Sequence, residues 1–570
     1  MRANAKRLLN AVPVLRIPLI LLRRMWRDRG AWGAMLADYR ATRREAAFFR
    51  QAEVHPNSRT LTVFVLDDDM IYALKQLAFV SQGLRLRGWT VQVVLRSRAM
   101  LVGVAYFRAF GIGHFVFLDD MRLTGEERAH CQAIAKQLLD QPLSLQLVKS
   151  WQFEGCWIGP QIISTLSRIR FEGMADFSDP QAHLRLKEML APCLEHVLSA
   201  RKLVRAHPAD LALTIEANYA AFGPLVDMAI AEGTPVVQMI QPWKDDAMIF
   251  RRLTAPTRRE HPSSVAQETL DHVAHHPWTS AEEQALNQLF ADRYGGRWYL
   301  QARNQQNTRS YSIDDLVNRF SLDRAKPVAV VFSQVLWDAN LFYGDDIFED
   351  YGQWFVETVR AACANTAVNW LVKIHPANVW KRSYENITHE YAETALIRRE
   401  IGELPPHVKL ISAYDDISTL SLFEVIDFGV TVRGTSGMEL VCFGKHCVTA
   451  GTGRYSGLGF TLDCADRQQY FDRLANLQNL PPMTPQAVLR AKWHAYTSFL
   501  LRPWQMLSAR AEFVYLKSGH HPLDHKLALT VSSLSELEEN GDLSAWADWA
   551  EGVQTDYIAP YTAVQEKAAA

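Results

Sequence analysis

The sequence predicts an α/β protein with two doubly wound, parallel-sheet domains. Two observations support this prediction. From residue 59 onward, strand-like apolar runs alternate with helix-like stretches, and the first runs read LTVFVLDDDM, WTVQVVL and GHFVFLDD. The alternation starts afresh at Lys326, with the runs VAVVFSQV, NWLVKIH, VKLISA, EVIDFGVTV and HCVTA. Strands that alternate with helices at this spacing are typical of parallel sheets covered by helices.

The composition is that of a globular protein with several domains. The chain has 570 residues, of which 48% are apolar and 22% charged, and its formal net charge is −1. Chains of this length form more than one folded core. A net charge near zero provides no general attraction for nucleic acid, so no such partner is expected. The seven cysteines show no CxxC pair or metal-binding spacing, which indicates reduced thiols in the cytosol. No cofactor is expected.

Residues 1–58 form an N-terminal segment that begins with a strong basic bias. Its first thirty residues hold eight Lys or Arg side chains, and Asp28 is their one acidic residue. A basic amphipathic helix of this kind can lie on an anionic membrane surface, and contact with such a surface is one prediction for this segment. The alternative is an ordinary surface helix that is interrupted at Pro13 and Pro18. No apolar run reaches the length of a membrane-spanning helix.

The domain boundaries are predicted from the same patterns. The first domain is expected at residues 59–322, the second at residues 323–485, and a C-terminal helix with a less patterned tail at residues 486–570. Periodicity falls at residues 251–262, and residues 270–320 read as a helical connector. Because ligands of doubly wound sheets bind beyond the carboxyl ends of the strands, the site residues are expected at those ends.

Acidic residues follow several strands of the first domain. Asp67, Asp68 and Asp69 come directly after the first strand, where the preferred interpretation is a turn that caps the next helix and the alternative is a ligand site. Glu216 ends the run DLALTIE, and Asp245 follows the run TPVVQMIQPW. Because both lie at strand ends, Glu216 and Asp245 are the candidate catalytic residues.

The run NWLVKIHP places Lys373 and His375 at a strand end of the second domain. Residues i and i+2 of a strand point to the same side, so both side chains can reach one anion. Lysine is a compact cation suited to phosphate, and histidine donates hydrogen bonds and carries charge near neutral pH. The alternative is that both are ordinary surface residues. Asp338 follows the first strand of this domain, as either a ligand contact or a turn residue.

A glycine-rich turn, Gly434-Thr435-Ser436-Gly437, follows a later strand and opens a helix-like segment. Glycine lets the backbone approach a ligand, and hydroxyl and N–H groups at a helix start bind phosphate. Glu439 is expected either to accept hydrogen bonds from a ribose or to close a capping box with Ser436. Tyr455, in the next glycine-rich loop, either covers the site or packs the loop. Together with the KIHP strand end, these residues form the predicted donor-binding site.

These motifs together resemble the capsule-polysaccharide biosynthesis glycosyltransferases, a family that includes the retaining Kdo transferases of capsule export systems. The resemblance rests on Ser333–Asp338, on KIHP at 373–376 and on GTSGMEL…GK…G…Y…G at 434–459, and it covers mainly residues 325–480. Gln241-Pro242-Trp243 stands where related enzymes often have a histidine–glycine pair. The resemblance therefore does not fix the catalytic residue or the stereochemical outcome.

The resemblance implies a GT-B fold, in which two Rossmann-like domains face a cleft and the second domain binds the donor. It also implies a CMP-linked sugar donor, with Kdo as a candidate sugar, no required metal, and growth of a lipid-linked glycan at the inner membrane. His375 would match the histidine of the family's HP motif, which holds the donor phosphate. Lys373, Thr435, Ser436 and Glu439 would match its neighbours. A nucleotide diphosphate sugar is the alternative donor.

The predicted function is transfer of a sugar from a nucleotide donor to a capsular or other surface polysaccharide. Lys373, His375 and the glycine-rich turn would neutralise the leaving phosphate, where charge grows in the transition state. A carboxylate would activate the acceptor hydroxyl. The alternatives are a sugar-nucleotide epimerase or a polyol-phosphate polymerase on the same fold, and a non-catalytic scaffold of polysaccharide assembly.

Overall fold

The computed structural model describes the chain except for residues 1–25, 27–28, 171–175, 299–307, 339–340, 385–386, 389, 514–522, 524 and 562–570. Most of the basic cluster that is predicted to touch a membrane surface therefore lies outside the described residues. Among the residues that are described, no helix combines the length and the apolar character needed to cross a bilayer.

The first domain is built around a seven-stranded sheet. Its strands are β1 (Thr60–Val65), β2 (Thr90–Leu95), β3 (His114–Phe117), β4 (Leu211–Thr214), β5 (Val236–Ile240), β6 (Ala247–Leu253) and β13 (Trp504–Gln505). They lie in the order β13-β6-β5-β4-β1-β2-β3. The strands from β5 to β3 are parallel, whereas β6 and β13 are antiparallel to their neighbours. The order from β3 to β5 is Rossmann-like, and it reverses between β1 and β4.

Helices cover both faces of this sheet. They are α1 (Trp32–Glu45), α2 (Ala47–Gln51), α3 (Ile71–Arg85), α4 (Leu101–Ala109), α5 (Gly125–Leu139), α6 (Leu145–Lys149), α7 (Ile158–Arg170), α8 (Pro180–Ala206) and α9 (Gly223–Ala231). Along β1, Val63 packs into one core and Phe64 into the other, because successive strand residues point to opposite faces. Burial of both faces explains why the strands read as nearly continuous apolar runs.

The second domain is built around a six-stranded parallel sheet. Its strands are β7 (Val328–Phe332), β8 (Asn369–Lys373), β9 (Val408–Ile411), β10 (Phe428–Thr431), β11 (His446–Thr449) and β12 (Leu462–Asp463). They lie in the order β12-β11-β10-β7-β8-β9. This is the strand order of a complete Rossmann sheet, and it reverses between β7 and β10. Two Rossmann-like sheets confirm the predicted fold class.

The helices of the second domain begin before its first strand. They are α10 (Gln267–Ala274), α11 (Ser280–Tyr294), α12 (Ile313–Phe320), α13 (Tyr351–Ala364), α14 (Ala377–Tyr384), α15 (Ala392–Glu400), α16 (Thr419–Val425), α17 (Thr435–Cys442), α18 (Arg467–Ala475) and α19 (Pro485–Tyr496). Phe290 of α11 and Leu316 of α12 share a core with Val330 of β7. The helical connector predicted at residues 270–320 thus helps to cover the second sheet.

The C-terminal residues return to the first domain. After β13, the chain forms β14 (Ala509–Phe513), β15 (His525–Leu529), α20 (Leu534–Asn540) and α21 (Asp542–Glu551). Trp504 and Trp546 are buried in a core of the first sheet. Arg251 of β6 is fully buried and forms an ion pair with Asp556 at 2.9 Å. The weakly patterned tail is therefore part of the first domain's core.

Candidate functional site

Lys373 is a buried cation at the carboxyl end of β8. Its residue is 7% exposed. Burial lowers its pKa from 10.5 to about 8, and the negative charge of Asp415 partly opposes this shift. Within the described part of the chain, the Lys373 ammonium has no hydrogen bond or ion pair. A buried ammonium without a counter-ion is unfavourable, which makes this position receptive to an anion.

His375 lies two residues further on and is held as a neutral ring. Its backbone N–H donates to Ser333 Oγ at 2.9 Å, and its Nδ1 accepts from the N–H of Ala377 at 3.1 Å. Burial and the charges of Lys381 and Lys373 lower the pKa of His375 to about 4. Because Nδ1 accepts a hydrogen bond, the ring proton lies on Nε2. His375 can therefore donate one hydrogen bond, but in this state it does not supply the positive charge that the sequence suggested.

The end of β7 joins the KIHP strand end to the glycine-rich turn. The N–H of Ser333 donates to the carbonyl of Lys373 at 3.0 Å. Its neighbour Gln334 donates through Nε2 to Thr431 Oγ1 at 2.6 Å, and the N–H of Gly434 donates to the same hydroxyl at 3.3 Å. Since β8 and β10 both pair with β7, the two predicted phosphate-binding features lie at one edge of the sheet, about 10 Å apart.

The glycine-rich turn opens helix α17 directly. Gly434 is the residue before the helix, Thr435 is the first helical residue, and no side chain caps the helix start. The capping box expected between Ser436 and Glu439 is therefore wrong. A Cβ atom at Gly437 would lie 2.9 Å from Cys447 Sγ, so this position requires glycine. Gly437 donates its N–H to the carbonyl of Gly434 at 3.0 Å. Among the described residues, the N–H groups of Thr435 and Ser436 have no hydrogen bond, so these two can bind an anion.

Glu439 and Tyr455 are buried side chains that support the glycine-rich turn from the protein interior. Glu439 is 1% exposed, forms an ion pair with Arg293 at 3.0 Å, and accepts a hydrogen bond from Tyr294. Arg293 in turn contacts Thr435 Oγ1 at 3.5 Å. Tyr455 is buried and donates to the carbonyl of Gly434 at 2.6 Å. Glu439 thus reaches the turn through Arg293, and Tyr455 packs the loop.

Asp338 joins the two domains across the cleft. Its Oδ1 accepts a hydrogen bond from the Tyr219 hydroxyl at 3.0 Å, and its Oδ2 lies 3.3 Å from Lys381 Nζ. Tyr219 follows β4 of the first sheet, whereas Asp338 follows β7 of the second. The adjacent Trp337 ring lies under Lys381 at 4.6 Å and under Arg168 at 5.0 Å. The carboxyl ends of β4 and β7 therefore face each other.

Glu216 belongs to this cluster. Burial raises its pKa to about 7, and the charge of Asp338 adds to the increase. The positive charges of Arg168 and Lys381 oppose the increase. A carboxylate with a pKa near the working pH is suited to general acid–base catalysis. The structure therefore brings Glu216 together with Asp338. Asp338 in turn lies near His375, because its negative charge acts on the pKa of that histidine.

Asp245 lies in the turn between β5 and β6. Its carbonyl accepts from Gln241 Nε2 at 3.4 Å, and its negative charge contributes to the raised pKa of Tyr72 in the first domain. Gln241 also lines a cavity of about 300 Å³ that reaches Thr435 and Arg293. Both of these contacts lie within the first domain.

The aspartate run at 67–69 forms a turn after β1. Helix α3 begins after Met70 without a side-chain cap, so the expected capping role is wrong. Asp68 instead accepts from the N–H of Gly103 at 3.1 Å, and Asp67 accepts from the N–H of Asp69 at 2.9 Å. The three carboxylates lie within 4.8 Å of one another.

Sequence reasoning missed three residues of the cleft: Arg168, Tyr219 and Lys381. Lys381 had a usable signal, because it follows the KIHP motif by one helical turn of α14. Arg168 and Tyr219 had none, since they meet Asp338 and Trp337 only when the two domains face each other.

Comparison with known proteins finds a family match for part of the chain. Residues 253–484 match the family described as "Capsule polysaccharide biosynthesis protein". This match confirms the predicted resemblance for that part, which includes the KIHP strand end and the glycine-rich turn. Among curated proteins, no sequence matches the chain significantly.

Solved structures with detectable similarity are distant. The KpsC beta Kdo 2,4 transferase of Thermosulfurimonas dismutans is 16% identical, with a TM-score of 0.30, and the match covers 52% of this chain and 82% of that chain. The beta Kdo 2,7 transferase of the same KpsC is 12% identical, with a TM-score of 0.30, over 54% of this chain and 82% of that one. The UDP-GlcNAc 2-epimerase of Neisseria meningitidis is 10% identical, with a TM-score of 0.26, and the match covers 77% of this chain and 97% of that one. At such TM-scores, these similarities carry no argument about function.

Proposed function

We propose, from the match of residues 253–484 to the capsule polysaccharide biosynthesis protein family, that the chain is a glycosyltransferase. It would move a sugar from a nucleotide donor to a glycan acceptor. The donor would lie across the carboxyl ends of β8, β7 and β10, where the strand order of the second sheet reverses. The acceptor would approach from the first domain.

The observation that carries the proposal is the unpaired ammonium of Lys373. In the described part of the chain it has no counter-ion, although it is almost fully buried. A donor phosphate would supply that counter-ion. The open N-terminus of α17 lies two strands away and offers N–H groups to the same phosphate or to its neighbour. Both features favour an anion that spans the reversal point.

His375 would act as a neutral hydrogen-bond donor. The N–H of Ala377 fixes the ring proton on Nε2. In a glycosyl transfer, the bond between the anomeric carbon and the phosphate oxygen breaks, and the phosphate keeps the electron pair. A hydrogen-bond donor that already points at that oxygen stabilises the growing negative charge without reorganisation. Lys373 and His375 would together favour departure of the nucleotide.

Glu216 would act as the catalytic base. The acceptor hydroxyl oxygen forms the new bond to the anomeric carbon, and its proton passes to a carboxylate. The pKa of Glu216, about 7, makes it a base that is available at neutral and higher pH. Asp338 is held by Tyr219 and Lys381, so its charge stays fixed beside Glu216. For Asp245, the other candidate from the sequence, a catalytic role stays a prediction.

The finer assignments come from the motif resemblance. It supports CMP as the donor nucleotide, Kdo as the sugar and a lipid-linked glycan as the acceptor. It also supports work at the inner membrane surface, where the basic residues of the first 25 positions would contact anionic lipid. Thr435, Ser436 and Gly437 would hold the donor directly, whereas Glu439 and Tyr455 would support them from behind.

A thermal-shift panel of CMP, CDP, UDP and GDP tests the proposal. A ligand at 100 times its dissociation constant stabilises the native state by about 2.7 kcal/mol. We expect CMP to raise the melting temperature of the wild-type protein most strongly, and Lys373→Met to abolish most of the increase. Lys445→Met, on the amino-terminal side of β11, is the matched control. Failure of all four nucleotides to stabilise the wild-type protein would contradict the proposal.

Product analysis separates transfer from the alternatives. With a labelled sugar nucleotide and a glycan acceptor, a transferase moves label into the glycan. An epimerase returns a changed sugar nucleotide, and a polyol-phosphate polymerase incorporates phosphate as well. A scaffold binds the nucleotide but releases unchanged donor.

A further inference from the structure

A second cavity lies between the domains, away from the KIHP strand end. It has a volume of about 680 Å³, within the usual range for small-molecule sites. The segment after β6, including Arg259 and His261, forms one wall, and the loop after β11, including Arg454, forms another. It shares His261 and Arg454 with the smaller cavity that reaches Thr435. The larger cavity therefore connects to the edge where the donor is proposed to bind.

We infer that this cavity is the acceptor subsite, and that Arg259 and Arg454 bind an anionic group of the acceptor glycan, either a carboxylate or a phosphate. The inference rests on the proposed glycosyl transfer, because it names the class of acceptor that the same cleft would take.

The argument begins with the charges that line the cavity. Two of its four arginines are already neutralised. Arg251 pairs with Asp556 at 2.9 Å and with Glu260, and Arg433 pairs with Asp346. These arginines hold the walls together and are not available to a ligand.

The charges of the other two arginines, Arg454 and Arg259, are compensated only weakly by carboxylates. Arg454 contacts the ring of His261 at 3.2 Å, and its buried Nε has no hydrogen-bond partner. Burial and nearby arginines hold the pKa of His261 well below its ordinary value, so that ring is neutral. Among the described residues, no carboxylate lies within 4.0 Å of Arg454.

Arg259 is oriented by backbone atoms of the second domain. It donates to the carbonyls of Phe342 at 3.3 Å and Gly344 at 3.0 Å. The carboxylate of Asp345 lies 3.8 Å away, and the Asp345 side chain is 82% exposed. A pair at that distance and exposure is weak. The guanidinium is thus fixed in position while its charge is only slightly compensated.

Two carboxylates also line the cavity, and both are engaged. Glu260 accepts from Arg251, and Glu268 accepts from the N–H of Thr555 at 2.6 Å. Because four arginines and only two carboxylates line the cavity, its lining carries an excess of positive charge. Guanidinium groups match carboxylate and phosphate in shape and bind both through paired hydrogen bonds. A neutral sugar would leave these groups unused, which favours an acidic or phosphorylated acceptor.

The test is a ligand-observed NMR titration of the full-length chain with D-glucuronate, glucose 6-phosphate and D-glucose. We expect at least one anionic sugar to bind more than tenfold more tightly than glucose. Preference for glucuronate identifies a carboxylate, and preference for glucose 6-phosphate identifies a phosphate. Equal binding of all three sugars would overturn the inference.

The matched variants are Arg454→Gln and Arg259→Gln, with Arg324→Gln as the control. Arg324 precedes β7 at the amino end of that strand, opposite the carboxyl ends that face the cleft, and its side chain is 61% exposed. Each cavity variant should weaken binding of the preferred anionic sugar about 10- to 100-fold, which is the range for the loss of one charged hydrogen bond. The control should change binding less than twofold. Unaltered anion binding in both cavity variants would refute the inference, and testing two variants guards against misfolding of one.

CMP binding is measured on the same samples. Retained CMP affinity in Arg454→Gln and Arg259→Gln, with lost anion binding, supports an acceptor subsite separate from the donor. Loss of CMP affinity in both would place these arginines in the donor site and overturn the inference. If CMP does not bind the wild-type protein but the anionic sugar does, the proposed donor assignment fails while the anion site stands.

Discussion

Replacing Lys373 with methionine distinguishes a functional from a structural role of this buried cation. Burial lowers the pKa of Lys373 from 10.5 to about 8. One pKa unit corresponds to about 1.4 kcal/mol, so the charged ammonium costs the ligand-free fold about 3 kcal/mol at pH 7. Methionine has a similar shape without the charge. We therefore expect Lys373→Met to raise the free energy of unfolding by about 1–3 kcal/mol.

The sign of the pH dependence follows from the lowered pKa. At pH 7 the lysine is protonated in both the folded and the unfolded chain, so the whole cost is present. Above about pH 8 the folded protein loses this proton before the unfolded chain does, and the cost shrinks as the pH approaches 10.5. The stabilisation by Lys373→Met should be largest at pH 7 and should become smaller at each step from pH 8 to pH 10. Urea unfolding at several pH values measures it.

Nucleotide binding should change in the opposite direction. Removing one charged contact to phosphate weakens binding about 10- to 100-fold. The wild-type affinity for CMP should also fall as the pH rises above about 8, because the free protein then lacks the ammonium proton. Isothermal titration calorimetry measures both effects, with Lys445→Met as the control. A variant that is less stable than wild type and binds CMP within twofold of it would refute the reasoning.

Three further predictions concern the same cleft. His375→Ala should lower the transfer rate about 10- to 100-fold at pH 7; a change within twofold, in an assay with labelled donor, would reject its assigned role. Glu216→Gln should lower that rate about 10²- to 10⁴-fold with unchanged CMP affinity, and the wild-type rate should rise with pH through about 7 as this carboxylate loses its proton; a flat pH profile would exclude it as the base. Glu439→Gln should destabilise the fold by about 3–5 kcal/mol, because Arg293 loses its buried partner; a loss below about 1 kcal/mol in denaturant unfolding would contradict the ion pair's importance.

Local sequence was sufficient to locate the strands and the main polar features at their ends. Runs such as VAVVF and NWLVK are apolar on both faces, which is what a parallel sheet buried on both sides requires. The KIHP motif and the glycine-rich turn therefore lie at one edge, as a strand-end reading predicts. β6 was missed because its two arginines broke the pattern. They are buried beside Asp556 and carbonyls of residues 549–554, which come some 300 residues later.

The polar details of the site depended on contacts that no local pattern contains. Glu439 has capping-box spacing from Ser436, yet its carboxylate turns to Arg293 of a distant helix, because a buried charge is most stable beside an opposite one. Glu216 could be named from its strand end, but its raised pKa arises from burial and from Asp338 across the cleft.

The sequence by itself determined two mainly parallel sheets and the strand ends that carry the candidate phosphate-binding groups, since strand periodicity and glycine turns are local properties. Only the tertiary structure decided which charges are paired and which are left exposed to the cleft. Arg251 and Arg454 are equally basic in the sequence, but one meets Asp556 and the other a neutral imidazole. Electrostatic energies depend on distance and burial in space, so the charge that remains for a ligand appears only after the chain has folded.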